Sequence, residues 1–420
     1  RLRSRGLGDV YKRQLLIWCT LVLCSCSQVP TNLYPIYKNG KYGYIDSLGN
    51  EVIKPQYLYA SYFNEGIALI IVDTTCVILS DTLTSKKASS FINLLSEQKK
   101  IRYKYGYISL DNKLAIDTTL IYEFENIEND WNSIKELISK GKQLNLQWLS
   151  CSDDRILYQD SITKLFGYMN SKGETIITPQ YKDGYQFTEG LAAVQVLNKG
   201  LRDSPKWGYI DINGNLVIES KYSSASTFRE SKAIVEFREM KRRDDGKFSF
   251  TKSSIIINKS GKIIGTPFNM TTTIYPYNDG IACTYNHLGK LNLGYNFIDE
   301  NGNYLIDGTL IDITRFGNGY AGVKIDSTNW VFVDKRMNII SEEYEEVKPF
   351  NENYAAIKKD NLWGYIDTTF QVKIPCKYDN CSSFKKGLAS FEIKREALMI
   401  EGYINKRGEV VWQKEYSNWD

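Results

Sequence analysis

The sequence predicts an all-β protein in which tandem three- to four-stranded repeats form a propeller-like or ring-like array. One five-residue phrase, seen at Trp207–Asp211 and again at Trp363–Asp367, recurs along the 420-residue chain. From residue 170 onward its copies follow one another at intervals of about 40 residues, a period typical of propellers and solenoids. The 30 Tyr, 17 Phe and 8 Trp residues point the same way, because aromatic side chains fit the pleated, half-buried surface of a strand.

The recurring phrase consists of an aromatic residue, Gly, Tyr, Ile and then Asp or Asn, with some substitutions, and we expect it to form a strand. Because the aromatic residue recurs in unit after unit, we interpret it as packing each unit against the next, with the neighbouring glycine allowing close backbone approach. Stacking of a ligand on these rings is the less favoured interpretation. The predicted signature residues are Tyr42, Gly43, Tyr105, Gly106, Phe166, Gly167, Trp207, Gly208, Trp330, Trp363, Gly364 and Gly402.

A turn and two further strands are expected to follow each phrase. In Asp46–Asn50 and Asn170–Glu174 the Asp or Asn side chain can start a type I turn, and Gly supplies the left-handed residue of a bulged hairpin. A tyrosine comes next, as at Tyr57 and Tyr181, and a Phe-x-Glu-Gly-x-Ala segment such as Phe187–Ala192 then opens a third run. Each unit therefore holds about three short strands with turns between them.

These elements, in this order, resemble the bacterial WG repeat, also called the KWG repeat. The resemblance covers about residues 33–415, and it implies a β-rich repeat domain with a binding role and no conserved catalytic residue. The sequence departs from the family pattern at Val331, where Gly is missing, and in three early copies where Tyr or Phe replaces Trp, so the unit boundaries stay open. The best copies lie at 40–70, 166–196, 206–236 and 362–392.

A closed body is favoured over the alternative, an open β-solenoid, because closure hides the strand edges that an open array must cap. Two intervals between copies are longer than the period. Residues 76–80 are interpreted as a decayed copy, and 89–97 as a short helix. A second helix is expected near 131–138, within an insertion at about 120–160. Because insertions in repeat proteins cluster on one face, which is often the binding face, this insertion is the predicted determinant of specificity.

The N-terminal region is predicted to be an export signal rather than part of the fold. Residues 1–14 are interpreted as a sequencing or assembly artefact, and their five basic residues and one acidic residue account for the formal net charge of +4. The apolar run at 15–25 suits a lipoprotein signal peptide that has lost its start, and it is too short to span a bilayer. Leu23–Cys26 resembles a bacterial lipobox, which implies lipidation of Cys26.

The mature chain is expected to begin with an anchor and tether at 26–35, ahead of the repeat array at 36–415. No Asp follows Cys26 directly, and by resemblance to known sorting rules this implies an outer-membrane anchor that faces the periplasm. Outside residues 1–14 the charges balance. A nucleic-acid partner, which a basic surface would indicate, is therefore not expected.

Few residues suit catalysis or metal binding. His287 is the single histidine, so a site with two histidine ligands is excluded. Cys376 and Cys381 could form a disulfide in an oxidising compartment, although buried free cysteines are an equal alternative. Phosphate-binding and dinucleotide-binding loops are missing from the sequence, and no metal or other cofactor is expected.

The sequence therefore favours a non-catalytic envelope lipoprotein that binds an unknown protein or glycan partner through its repeats. Two alternatives stay open. One is an envelope hydrolase, such as a glycosidase whose paired carboxylates face one pocket. The other is a purely structural assembly protein, which a broad apolar patch without a pocket would indicate.

Overall fold

The computed structural model describes residues 32–78, 99–124, 150–197, 205–242, 248–269, 272–287 and 293–417. Within these ranges the regular secondary structure is β throughout, as predicted, and no helix long and apolar enough to cross a membrane occurs. The helices expected at 89–97 and 131–138 lie outside the described residues, as do the predicted signal peptide and Cys26.

In the described residues, thirty-two strands form nine antiparallel sheets, which are the blades of a nine-bladed β-propeller. Each blade consists of strands that follow one another in the sequence. Blade 1 comprises β1 (Tyr34–Lys38), β2 (Lys41–Ile45) and β3 (Glu51–Tyr57), and blade 2 comprises β4 (Tyr59–Ala60), β5 (Ile67–Ile78), β6 (Lys99–Ser109) and β7 (Leu114–Phe124). Blade 3 comprises β8 (Ile156–Gln159), β9 (Phe166–Met169) and β10 (Thr175–Tyr181). Blade 4 comprises β11 (Asp183–Gly184), β12 (Leu191–Val196), β13 (Lys206–Asp211) and β14 (Leu216–Tyr222). Blade 5 comprises β15 (Ser224–Ala225), β16 (Lys232–Arg242), β17 (Phe248–Asn258) and β18 (Ile263–Asn269). Blade 6 comprises β19 (Thr272–Ile274), β20 (Ala282–Asn286) and β21 (Gly294–Ile298). Blade 7 comprises β22 (Asp312–Ile313), β23 (Tyr320–Lys324) and β24 (Trp330–Asp334). Blade 8 comprises β25 (Glu346–Val347), β26 (Tyr354–Lys359), β27 (Leu362–Asp367) and β28 (Val372–Tyr378). Blade 9 comprises β29 (Asn380–Cys381), β30 (Leu388–Arg395), β31 (Leu398–Asn405) and β32 (Val410–Ser417).

The boundaries of the sequence repeat do not coincide with the boundaries of the blades. In blade 4 the aromatic phrase forms β13, the third strand, and its hairpin leads to β14, the fourth strand. The phenylalanine that follows, Phe228, already lies between the first two strands of blade 5. Each sequence unit therefore starts in one blade and ends in the next, which explains why unit boundaries could not be fixed from the repeat alone.

A β-bulge explains the glycine of the phrase. Where the third and fourth strands of blade 8 pair, the register shifts between Trp363 and Tyr365. The bulge brings the fourth strand so close that a Cβ on Gly364 would lie 2.5 Å from Ile374 O. Blade 7 has Val331 at the glycine position, and there isolated bridges replace the fourth strand.

A tyrosine hydroxyl ties one blade to the next, and we call this bond the tyrosine link. In blade 8, Tyr365 Oη donates to Ser382 O of blade 9 at 2.7 Å, across 17 residues of sequence. Blades 1, 3 and 4 repeat this bond at the same spacing. In blade 9, Tyr403 Oη instead donates to Pro35 O of blade 1 at 2.9 Å. The link that joins successive blades thus also closes the ring, and the open solenoid is excluded.

A second connection, the turn link, joins the tight turns of neighbouring blades. Each of blades 2–9 has a two-residue turn in which both residues are left-handed, the geometry of a type I′ hairpin. Glutamate stands first in several of these turns, although Asn, Asp or Gly fits that conformation better. Its carboxylate compensates by accepting backbone hydrogen bonds from the next turn: Glu352 accepts from Lys386 N and from Gly387 N, the latter at 2.9 Å. Glu230 binds the turn of blade 6 in the same way.

Three details differ from the sequence prediction. Residues 76–78 are not a separate repeat copy but extend β5 and pair with β6. Within the expected insertion at 120–160, residues 120–124 belong to β7 and 156–159 form β8. The predicted disulfide is not formed: Cys376 and Cys381 are free thiols on strands of two different blades, and Cys376 Sγ approaches Ile357 O of its own blade at 3.9 Å.

Candidate ligand-binding cleft between the first and last blades

The signature aromatic residues of the interior blades fill the seams between blades. Trp363 of blade 8 is 4% exposed and lies in the core that this blade shares with blade 9. It pairs across strands with Tyr378, as Trp207 of blade 4 pairs with Tyr222. All six aromatic residues of the predicted signature are buried: Tyr42, Tyr105, Phe166, Trp207, Trp330 and Trp363. At Gly43, Gly167, Gly208, Gly364 and Gly402, a Cβ would strike a carbonyl oxygen of the neighbouring strand.

The last blade departs from this pattern. Its phrase reads Glu401–Asn405, so a glutamate occupies the position of the signature aromatic residue. Directly opposite, Lys414 takes the place of the tyrosine that faces Trp363 in blade 8. A charged pair therefore stands where blades 3, 4, 7 and 8 place two aromatic rings.

A cleft of about 550 Å³ lies at this position, between blades 9 and 1. Successive side chains of a strand point to opposite faces of a sheet, so alternate residues of three adjacent strands line the cleft from blade 9. These residues are Ser390, Glu392, Glu401, Tyr403, Trp412 and Lys414. Tyr37 and Tyr42 of blade 1 form the facing wall, and Tyr62 of blade 2 also lines the cleft.

Glu401 and Lys414 form the polar centre of the cleft. Lys414 Nζ lies 3.1 Å from Glu401 Oε2, and the hydroxyl of Tyr416 donates to Oε1 of the same carboxylate. Lys414 Nζ also lies 5.2 Å from the ring centroid of Tyr37, a favourable cation–π position. Burial, followed by the hydrogen bond to Glu401, raises the pKa of Tyr416, which keeps this hydroxyl protonated as a donor.

Glu392 is the second carboxylate of the cleft. It stands directly opposite Glu401 in the pairing of β30 with β31, and like charges in that position destabilise a sheet. Among the described residues the Glu392 carboxylate has no hydrogen-bond or ion-pair partner. Since an ionised carboxylate only accepts hydrogen bonds, Glu392 is available to a ligand that donates them.

Aromatic rings supply the apolar part of the cleft. Trp412 pairs with Tyr403, whereas the equivalent residue of blade 8 is the small Ile374 opposite Tyr365. Trp412 is half-buried and faces the cavity. Lys385 Nζ lies 4.1 Å from the ring centroid of Tyr62. The cleft thus combines flat rings with one paired and one unpaired carboxylate.

The sequence did not single out Glu401, although a signal was present. An acidic residue replaces the aromatic one in a phrase that otherwise keeps Gly402 and Tyr403. The region at 120–160, which was predicted to determine specificity, contributes none of the described residues that line the cleft. His287 lies elsewhere, on blade 6, where Nε2 is 2.6 Å from Thr273 Oγ1. In the described part of the chain, no group of three or more His, Cys, Asp or Glu residues could hold a metal ion.

Solved structures resemble the chain at low sequence identity. An uncharacterized protein from Listeria monocytogenes is 14% identical with a TM-score of 0.35, over 57% of this chain and 83% of that one. BamB from Moraxella catarrhalis is 12% identical with a TM-score of 0.32, over 81% and 96%. A quinonprotein alcohol dehydrogenase-like protein from Bacteroides thetaiotaomicron is 11% identical with a TM-score of 0.28, over 92% and 97%. TM-scores this low carry no inference about function.

Family membership rests on the repeats themselves. No curated protein sequence matches the chain. The family model described as "WG containing repeat" matches at six places, which are residues 42–73, 166–199, 207–239, 297–328, 330–363 and 363–394. Five of the six begin at an aromatic phrase, which forms the third strand of blades 4, 7 and 8 and the second of the three strands described for blades 1 and 3. The chain therefore belongs to the WG repeat-containing proteins.

Proposed function

We propose that the chain is a non-catalytic binding module that takes a glycan in the cleft between blades 1 and 9. One observation carries this proposal. Glu401 and Lys414 replace the buried aromatic pair found in blades 3, 4, 7 and 8, and a cavity stands there instead.

The size of the cleft favours a compact ligand. Its volume of about 550 Å³ falls in the range of small-molecule pockets, roughly 300 to 1,000 Å³. A protein partner would instead need a broad interface of about 800 Å² on each side. A short oligosaccharide therefore suits the cleft better than a folded protein partner does.

The chemistry of the cleft suits a sugar. A sugar ring has an apolar C–H face and a rim of hydroxyl groups. Trp412, Tyr403 and Tyr37 offer flat apolar surfaces with polar tips, and the Glu392 carboxylate can accept hydrogen bonds from hydroxyl groups. The basic and acidic side chains of the cleft balance, which favours a ligand of low net charge.

The test is calorimetric titration of the full chain with short soluble oligosaccharides of three kinds: neutral, amino-substituted and acidic. We expect one kind to bind, and Trp412→Ala to weaken that binding by about tenfold or more, ~1.4 kcal/mol. Tyr304→Ala removes an exposed aromatic ring of blade 6 and should bind as the wild type does. The glycan proposal is overturned if no oligosaccharide binds or if Trp412→Ala has no effect.

Glycoside hydrolysis is the second candidate, because Glu392 and Glu401 face one cleft from directly opposed positions. Hydrolysis requires one carboxylic acid and one carboxylate on either side of the scissile bond. Both oxygens of Glu401 are already engaged by Lys414 and Tyr416, which favours binding over catalysis. The hydrolase would be established instead if the wild type released reducing ends from an oligosaccharide and Glu392→Gln lost this activity but still bound the oligosaccharide.

We also propose that Cys26 carries a lipid and holds the propeller at the outer membrane, facing the periplasm. The support is the lipobox-like Leu23–Cys26 after a short apolar run. Metabolic labelling with a palmitate analogue should mark the wild-type chain in the membrane fraction. Cys26→Ala should lose both the label and the membrane association. A labelled Cys26→Ala chain would contradict the proposal.

A further inference from the structure

A second cavity, of about 440 Å³, lies where blades 5, 6 and 7 meet. Arg229 reaches it from the tight turn of blade 5, and Arg315 from the segment just before the turn of blade 7. Tyr275 and Tyr295 of blade 6 form the walls between them. The cavity shares no lining residue with the cleft between blades 9 and 1.

Two positive charges face this cavity, and no acidic residue lines it. Arg229 Nη2 donates to Asn278 Oδ1. The Arg315 guanidinium forms no hydrogen bond or ion pair with any described residue. Burial, followed by the charge of Arg229, lowers the pKa of Arg315. Two like charges without a counter-ion disfavour each other, and a bound anion would relieve that repulsion.

The other polar groups near the cavity do not neutralise the arginines. Burial raises the pKa of Cys283 to about 12, so its thiol carries no charge near neutral pH. Burial, followed by the charge of Asp312, raises the pKa of Tyr295, so its phenol is neutral as well. The Asp312 carboxylate accepts a hydrogen bond from Ile313 N at 2.8 Å and pairs with neither arginine in the described part of the chain.

We infer that this cavity binds a small organic anion, with its oxyanion held between Arg229 and Arg315 and its apolar body against Tyr275 and Tyr295. The planar guanidinium fork binds a carboxylate or a phosphate through two parallel hydrogen bonds. The volume exceeds what a bare oxyanion needs and lies within the range of small-molecule pockets, and the aromatic walls suit an apolar group attached to the anion.

Calorimetric titration of the full chain with phenyl phosphate, benzoate and inorganic phosphate tests this site. We expect an aromatic anion to bind, with an affinity that falls as salt screens the charges. The tighter of phenyl phosphate and benzoate shows whether the site takes a phosphate or a carboxylate. Inorganic phosphate should bind more weakly than either aromatic anion that binds, because it has no apolar body.

Variants separate the site from general surface charge. Arg229→Leu and Arg315→Leu should each weaken binding by about tenfold or more, and Arg315→Lys should weaken it while keeping the charge, because lysine has no planar fork. Arg336→Leu, at an exposed turn of blade 7, should bind as the wild type does. The inference is overturned if neither aromatic anion binds, if Arg315→Leu has no effect, or if inorganic phosphate binds as tightly as an aromatic anion that binds.

Discussion

The seam between blades 8 and 9 and the seam that closes the ring, between blades 9 and 1, are held together differently. At the first seam, Trp363 and Tyr378 belong to a core of eleven buried hydrophobic residues. The core at the closing seam has four, Tyr34, Ile36, Ile45 and Leu388. Since each buried side chain contributes roughly 1.5 to 3 kcal/mol, the closing seam is the weaker of the two.

The hydrogen bonds across the two seams differ in part. Both seams keep the tyrosine link. The turn link changes, because blade 9 has Lys386 where blade 8 has Glu352: Lys386 Nζ donates to Phe63 O at 2.6 Å, and its own carbonyl accepts from Tyr34 Oη. The repeat thus supplies the bond that closes the ring, whereas two departures from the repeat, Glu401 and Lys414, line the cleft beside it.

The largest effect is expected where an interior blade depends on close backbone approach. A Cβ added by Gly364→Ala would lie 2.5 Å from Ile374 O, and relieving that contact should lower the free energy of unfolding by about 3 kcal/mol. Gly190→Ala is the control, because its Cβ meets nothing within 4 Å, and only the positive φ should cost about 1 kcal/mol. If the two variants lose the same free energy of unfolding in urea denaturation, the bulge is not the reason for glycine at position 364.

The next effect concerns the two kinds of turn link. Glu352→Ala leaves the Lys386 and Gly387 N–H groups without their acceptor and should cost about 2 kcal/mol. Lys386→Ala removes the bond from blade 9 to Phe63 O of blade 2, beside the closing seam, and should cost about 1 kcal/mol. The exposed Glu300→Ala should change stability by less than about 0.5 kcal/mol. A larger loss in Lys386→Ala than in Glu352→Ala would reverse the ranking of the two seams.

A double substitution should convert the closing seam into an interior one. Glu401→Trp with Lys414→Tyr recreates the pair formed by Trp363 and Tyr378 in blade 8. We expect the new rings to fill the cleft, to raise the free energy of unfolding by about 1 kcal/mol through added apolar burial, and to abolish oligosaccharide binding. Retained binding in a stably folded variant would show that the cleft is not the ligand site.

The smallest effect distinguishes blades by their hairpin turns. Side-chain hydrogen bonds within the turn lower the pKa of Asp211, Asp334 and Asp367, to about 2 for Asp367. An unfolded aspartate titrates near 3.9, so these carboxylates stabilise the fold above about pH 4 and lose that contribution as the pH falls toward about 2. Replacing all three by Asn, the residue at this position in blade 9 (Asn405), should flatten the loss of stability over this window. An unchanged pH profile in urea denaturation would contradict this expectation.

The fold could be predicted because its signals are local. The glycine of a bulge, the Asp or Asn of a turn and the alternation of a strand are each readable within a few residues. Their repetition at one period indicated a propeller or a solenoid, and the need to hide strand edges favoured the closed form. The cleft could not be predicted, since it depends on which residues meet across the closing seam: Tyr403 and its partner Pro35 are 368 positions apart. The sequence also left open whether Cys376 and Cys381 form a bridge or stay free, because closeness in sequence did not reveal that a blade boundary separates the two thiols.

In the described part of the chain, the first and last blades face each other across the cleft without exchanging a strand. Occupancy of the cleft and closure of the ring are therefore two parts of one equilibrium. A ligand that touches both walls binds only the closed form, so it acts as a clasp: it stabilises the closed ring, and this stabilisation increases with the ligand concentration. At a hundredfold excess over the dissociation constant, such a clasp adds about 2.7 kcal/mol to the free energy of opening. The stability of this seam is then set by the surroundings of the protein as much as by its sequence.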